Sequence, residues 1–247
     1  MRETVLRARG IRRIVLRGLD LDIYKNDFTV VMGASGAGKS TLLHALSRTD
    51  EIDGGEIFFG GTDIARLCER QMARIRAEQF GFVFQQANLI ENLTLYENVL
   101  VAGFLCKTRS EAETRAQADA LFARMNLAGA KDRLPREASG GEAQRCAIAR
   151  AVINRPAILF ADEPTGALNR KNSLEVLDLL SALNADGADA QTILMVTHDI
   201  RSAIRGNRIL YLEDGAIVAE LSLPRYDGTE TKIREERLSA WLEDLQW

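Results

Sequence analysis

Apolar and polar positions alternate in short pieces along the first part of the chain, in "ETVLRA" and "GLDLDIY", before the mostly apolar "FTVVM". Period-two alternation predicts strands, the last of them leading into a glycine loop. After that loop "HALSR" continues a helix, and "GGEIFFGGTDI" is a strand between glycine turns, as at a β-rich edge. From about Glu69 to Asn154 the texture becomes helical. There "SEAETRAQADALFARM" opens with Ser110 and Glu113 at capping-box spacing and carries Leu121, Phe122 and Met125 on one side. "TLYENVL" opens on the same box, Thr94 and Glu97. Beyond Pro156 strand and helix alternate again. "AILFAD" is an apolar run suited to a buried parallel strand, a Leu-rich helix covers about Ser173 to Leu183, "TILMVT" is a further buried strand, and "RILYLEDGAIVAEL" reads as a closing hairpin. The pattern predicts an α/β core interrupted by a helical insertion. Residues 225–247 form a charged tail with Leu238, Trp241, Leu242 and Leu245 at i, i+3, i+4 and i+7. That spacing fits a short amphipathic helix docked on its own domain, or on a partner.

Composition changes this picture little. The 247 residues, 46% hydrophobic and 27% charged, suit one sizeable core with a smaller lobe and exclude global disorder. A net charge of -3 gives no broad nucleic-acid surface, and Arg7, Arg9, Arg12 and Arg13 read as a local solvated face. Cys68, Cys106 and Cys146 are scattered without metal-ligand spacing and are expected to be reduced thiols in a cytosolic protein. "MRETVLRARG" lacks a signal-peptide core and no apolar run is long enough to span a bilayer, so work at a membrane is expected to go through a partner.

The glycine loop carries the chemistry. Gly33, Ala34, Ser35, Gly36, Ala37, Gly38, Lys39, Ser40 and Thr41 match G-x-x-x-x-G-K-[ST] in full, between an apolar strand and a helix. Such a loop turns backbone N–H groups toward phosphate oxygens, and the helix N-terminus adds roughly half a positive charge. Lys39 can bridge β- and γ-phosphates, and the Ser40 hydroxyl is a magnesium ligand. A phosphoryl site also needs a carboxylate for the metal and a base to orient water. Asp162 and Glu163, adjacent at the C-terminal end of "AILFAD", fit those two parts respectively.

A second glycine-rich helix start, "EASGGEAQRCAIARAV", lies about a hundred residues beyond the first. Ser139 and Glu142 have capping-box spacing, so one reading is a plain helix cap. That reading leaves Gly140 and Gly141 unexplained, because glycine weakens a first helical turn. The other reading is an anion site, and with the chain's own γ-phosphate already cradled, the anion would be the nucleotide of a second copy.

"ASGGEAQR" resembles the signature motif of ABC-type ATPases, and the motif order is similar to that family over nearly the whole chain. Gln85 in "GFVFQQANL" matches the Q-loop glutamine, "PTGALN" the D-loop, and His198 in "VTHD" the switch histidine. The resemblance implies a P-loop NTPase fold of the ABC nucleotide-binding type: a RecA-like core of about residues 1–85 and 155–224 with an antiparallel β edge, an inserted helical subdomain of about 86–154, and the tail. It implies ATP and Mg²⁺ as cofactors, with Ser40, Gln85 and Asp162 toward the metal, Glu163 as base and His198 on the γ-phosphate. Two subunits would sandwich two ATP molecules head to tail, each nucleotide meeting Ser139, Gly140, Gly141 and Glu142 of the other copy.

"NLIENLTLYENV" and "FADEPTGALN" are most similar to the ATPases of lipoprotein-releasing, macrolide and antimicrobial-peptide transport systems. This implies export or mechanical transmission, peripheral placement on the inner face of the cell membrane, and an integral-membrane permease contacted through Gln86 to Leu95, with Leu89, Ile90 and Leu93 as apolar contacts. An ATPase that organises a membrane complex without transport is the alternative. DNA-repair and chromosome-associated heads of the same fold carry coiled-coil arms that this spacing has no room for. Three positions depart from the usual pattern. The stretch near Arg9 to Ile11 has no aromatic to stack on adenine, leaving an arginine for that task. Asn169 stands where aspartate is common, and Ala138 and Glu142 replace leucine and glutamine in the signature.

Overall fold

Leu6, Ala8 and Ile11 point inward from β1 (Thr4–Arg13) and are fully buried. The step from Ala8 to Ile11 is one residue too long for strict alternation, and a register shift against β2 (Leu16–Tyr24) absorbs the extra residue as a bulge. β1 also pairs antiparallel with β4 (Gly54–Phe59), which turns into β5 (Thr62–Asp63), giving a sheet of order β2-β1-β4-β5. Three of the four arginines of β1 form ion pairs: Arg7 and Arg9 with Asp22, Arg13 with Asp50 and Asp53.

The computed structural model describes residues 2–185, 187 and 190–247, and the chain divides into two units, Met1–Met72 with Ser181–Trp247, and Ala73–Leu180. In the first, a second sheet runs β10-β9-β3-β8. β3 (Phe28–Met32) is buried at all five positions and lies between β8 (Ile193–Val196) and β9 (Arg208–Glu213), parallel to both; β10 (Ala216–Ser222) closes the hairpin with β9. A strand covered on both faces is apolar nearly throughout, which is why "FTVVM" shows no alternation, with Thr29 its one polar and fully buried member. Helix α1 (Lys39–Ser47) follows β3 and buries Leu42, Leu43 and Leu46.

In the second unit, β6 (Phe80–Val83) and β7 (Ile158–Asp162) run parallel with Phe82 opposite Phe160. β6 is a strand the sequence reading does not name, within the stretch from about Glu69 to Asn154 whose texture is helical. Four residues show no period, and their pairing partner lies far along the chain, so only the tertiary contact marks them as a strand. α2 (Glu69–Gln79) precedes β6; α3 (Leu95–Leu105), α4 (Glu111–Arg124), α5 (Gly140–Val152) and α6 (Arg170–Ala185) follow it. Thr94 and Ser110 form complete capping boxes with Glu97 and Glu113, as their spacing predicts.

Two further helices lie in the first unit, α7 (Ile200–Ala203) after β8 and α8 (Thr231–Asp244) in the tail. Leu238 and Leu242 of α8 are buried, and the Trp241 ring meets Tyr211 edge-on at 6.4 Å. Arg234, only 5% exposed, donates to the carbonyls of Ile204, Gly206 and Pro224 at 2.7–2.8 Å. The tail is therefore held by a buried guanidinium as well as by its apolar face. Leu238→Ala is expected to lower the unfolding free energy by about 2–4 kcal/mol in urea denaturation. A loss below about 0.5 kcal/mol would mean that α8 does not pack there.

Candidate functional site

Leaving β3, the chain curls through residues 33–38 into α1. Gly38 is the N-cap, with φ 103°, and a Cβ there would stand 2.7 Å from Val15 Cγ2, so both conformation and space demand glycine. Ala34, Ser35 and Gly36 are exposed along the crest. Lys39 is only 8% exposed and its Nζ donates to the Gly33 and Ala34 carbonyls at 2.7 and 2.9 Å, which holds the ammonium inside the curl. No side chain caps α1 and no acid stands in its first turn. Helices α3, α4 and α5 differ: a Ser or Thr capping box closes each. The dipole of α1 thus meets no carboxylate in its first turn that would oppose an incoming anion.

His198 follows β8. Val196 pairs with Val31, and the Thr197 N–H donates to the Val31 carbonyl at 3.1 Å. The parallel register therefore sets exposed His198 at the same end of the sheet as the phosphate loop. Asp199, which receives the Ser202 hydroxyl at 2.9 Å and caps α7, fixes the turn on its far side.

The second unit repeats the device. Val83 is opposite Ala161, so Gln85 and the pair Asp162–Glu163 leave adjacent parallel strands at the same end. Glu163 has φ 44°, left-handed for a residue with a Cβ, which is strain held at the candidate base. The turn is closed by the Gly166 N–H donating to the Glu163 carbonyl at 2.9 Å. Gln85 lies against this turn: a Cβ on Gly166 would come within 2.9 Å of Gln85 Nε2. Asn169 caps α6, its Oδ1 accepting from the Asn172 N–H at 3.0 Å, so neutral asparagine performs the helix-start task of the more usual aspartate.

At the head of α5 the capping box is complete. The Glu142 N–H donates to Ser139 Oγ at 3.2 Å, and the Ser139 N–H donates to Glu142 Oε2 at 2.8 Å. That backbone bond, with the Ser139 hydroxyl and Arg133 nearby, holds the Glu142 carboxyl below its usual range despite partial burial. Gly141 also has a packing reason, since a Cβ would stand 2.7 Å from Asn172 Cγ on α6. Gly140 has none: it is exposed, and an added Cβ would meet only Leu168 Cδ2 at 3.4 Å. The two readings of this stretch are compatible, because the box closes the backbone of the first turn while Ser139 and Gly140 stay exposed.

Other expected contacts sort differently. Arg9 is bound to Asp22 and to the Ala8 carbonyl, and Ile11 is fully buried, which leaves neither as a platform for a base. The exposed apolar side chains of this hairpin are at its turn, Ile14 (75% exposed) and Val15 beside Gly38. Between Gln86 and Leu95, Leu95 is buried, Leu89 and Leu93 are half-buried, and Ile90 projects. Buried Asn98 shapes this loop, donating to the carbonyls of Ile90, Leu93 and Thr94. Sequence reasoning missed Asn98 and also Gln144, a buried amide on the inner side of α5. A polar residue at a core position was the available signal for each.

A family model described as "ABC transporter" matches residues 16–166. The bacitracin export ATP-binding protein of Halalkalibacterium halodurans is 40% identical over 211 residues, 84% of this chain and 81% of that protein. A macrolide export ATP-binding/permease protein of Aeromonas hydrophila is 39% identical over 89% of this chain, which spans only 35% of that relative. Pyoverdine export relatives from Pseudomonas syringae are likewise covered over about a third of their length, 36% for one. A dimeric ATP-binding cassette solved in a post-hydrolysis state with ADP and Pi superposes with TM-score 0.80 at 34% identity, covering 90% of this chain and all of that one.

The surroundings of α5 also fix thiol reactivity. Burial pushes the Cys146 thiol up to about 12, and burial likewise raises Cys106, whereas Cys68 is exposed. Since the thiolate is the nucleophile, a disulfide reagent at pH 8 is expected to label Cys68 quickly and Cys146 only on denaturation. Fast labelling of Cys146 in the folded protein would contradict this packing.

Proposed function

This chain belongs to the ABC transporter family, and from that premise we propose that it is the ATP-binding and ATP-hydrolysing subunit of a membrane export complex, working as a homodimer. The observation that carries the reading is the pair of unlike helix starts. α1 has no side-chain cap and holds Lys39 in its loop, while α5 is fully capped yet keeps Ser139 and Gly140 exposed. One start is built to wrap an anion, the other to press a hydroxyl and a bare backbone against one.

In this reading residues 33–41 cradle the triphosphate, and Lys39 leaves the Gly33 and Ala34 carbonyls for β- and γ-oxygens. Glu163 accepts the proton of the attacking water, and His198 holds the γ-phosphate. Ser139, Gly140, Gly141 and Glu142 complete the nucleotide site of the other copy. Ile14 and Val15 offer the base an aliphatic contact where relatives of the usual pattern offer an aromatic one. The donor set proposed for Mg²⁺ is hydroxyl, carboxylate and amide oxygens from Ser40, Asp162 and Gln85, all hard oxygen ligands. That is the chemistry of a cation which arrives with phosphates and water rather than in an all-protein cage. When bound, it would neutralise charge between the β- and γ-phosphates.

No described helix is long and apolar enough to cross a membrane. In this reading membrane work passes through a permease seated on residues 86–95, where Ile90, 49% exposed, is the apolar anchor, and on α3, where Val101, Phe104 and Leu105 are exposed. The names of the relatives support export of a peptide or macrolide-like cargo.

Glu163→Gln removes the proton acceptor and keeps shape. It is expected to lower kcat about 10²–10⁴-fold. With ATP and Mg²⁺ it should elute as a dimer in size-exclusion chromatography. Elution as a monomer, with nucleotide bound, would contradict the sandwich.

A further inference from the structure

Gln144 lies on α5 one and a half turns beyond Ser139 and is only 1% exposed. Its Nε2 donates both hydrogens, to the Phe84 carbonyl at 2.7 Å and to the Pro164 carbonyl at 2.8 Å. The orientation of the amide is unambiguous, since both neighbours are acceptors and the oxygen would be repelled by each. Phe84 immediately precedes Gln85, and Pro164 immediately follows Glu163. Farther along the same helix, Arg150 donates to the carbonyls of Ala87 at 2.9 Å and Asn88 at 2.7 Å. α5 thus grips the backbone on both sides of Gln85 and just beyond Glu163. Gln85 and the turn after Glu163 also touch each other at Gly166.

We propose that Gln144 is a positioning residue, which ties the helix headed by Ser139 to the peptide units flanking Gln85 and Glu163, so that seating of Ser139 on a second copy's nucleotide sets where the hydrolytic groups stand. The inference rests on the roles proposed above for Glu163 and Ser139. Its physics is the directional character of two hydrogen bonds made by one buried side-chain nitrogen. A shift of α5 pulls on both carbonyls together, because the same amide serves both. A site assembled this way hydrolyses only when the second copy has engaged the head of α5.

The test compares Gln144→Met, which keeps volume and loses both donors, with Glu163→Gln and the unsubstituted protein. Gln144→Met is expected to bind ATP with unchanged Kd and, in a Glu163→Gln background, to form the ATP dimer as before. In the Glu163 background its kcat should fall by about tenfold or more, with KM little changed. A kcat within about twofold of the unsubstituted protein would overturn the inference. So would a kcat loss matched by equal loss of ATP-dependent dimer, which a merely structural residue would give. Should Gln144→Met fail to fold, Arg150→Lys, which keeps the charge and forfeits the two-carbonyl fork, is expected to show the same split on a smaller scale; unchanged kcat there would be equally fatal. If Glu163→Gln itself hydrolyses ATP at the normal rate, the proposed base is wrong and the inference falls with it. Inactive Glu163→Gln beside fully active Gln144→Met sinks the inference alone.

Discussion

Every α-helix begins with N–H groups that its own turns cannot satisfy, and the partner each start takes decides what this chain can do. α3 and α4 spend theirs on side chains of their own capping boxes, and their role is structural. α1 starts on a glycine N-cap with no side-chain cap and carries no acid in its first turn. α5 stands between these cases, closed by Ser139 and Glu142 but exposed at Ser139 and Gly140. Phosphate chemistry requires donors fixed before the charge arrives, and helix starts supply them without rearrangement.

Parallel strands turn those starts into two sets of chemical groups. In the first unit β3 and β8 end together, so the phosphate loop and His198 emerge side by side. In the second unit β6 and β7 end together, so Gln85 emerges beside Asp162 and Glu163. Each set is then locked locally. Asp199 holds the turn after His198, while Gln144, Arg150 and the Gly166 contact hold the segments around Gln85 and Glu163. The left-handed φ of Glu163 is a strain that such locking can sustain.

What could be read from the chain alone follows from the range of the interactions involved. The phosphate loop, the three capping boxes and the buried strands "FTVVM" and "TILMVT" depend on residues close in sequence, and their patterns were legible. β6 was not, because Phe80–Val83 become a strand only against β7, more than seventy residues later. Gln144 shows no task in the sequence, since its partners Phe84 and Pro164 are distant along it. Gly141 was read as a sign of anion binding alone, but it also makes room for Asn172. Arg9 looked available to a base until its pairing with Asp22 was visible. Membership of the ABC transporter family could be read from the motif order, while the geometry that makes two helix starts differ could not.

The central claim is that one chain supplies the phosphate loop and another supplies the head of α5 for each hydrolysed ATP. It is tested most directly by mixing two inactive variants, Lys39→Ala and Ser139→Arg, under conditions where mixed dimers form. The mixed dimer holds one composite site with neither substitution, so the mixture should recover ATPase activity that neither variant has alone. A mixture that forms dimers and stays inactive would mean that both substitutions strike the same site within one chain.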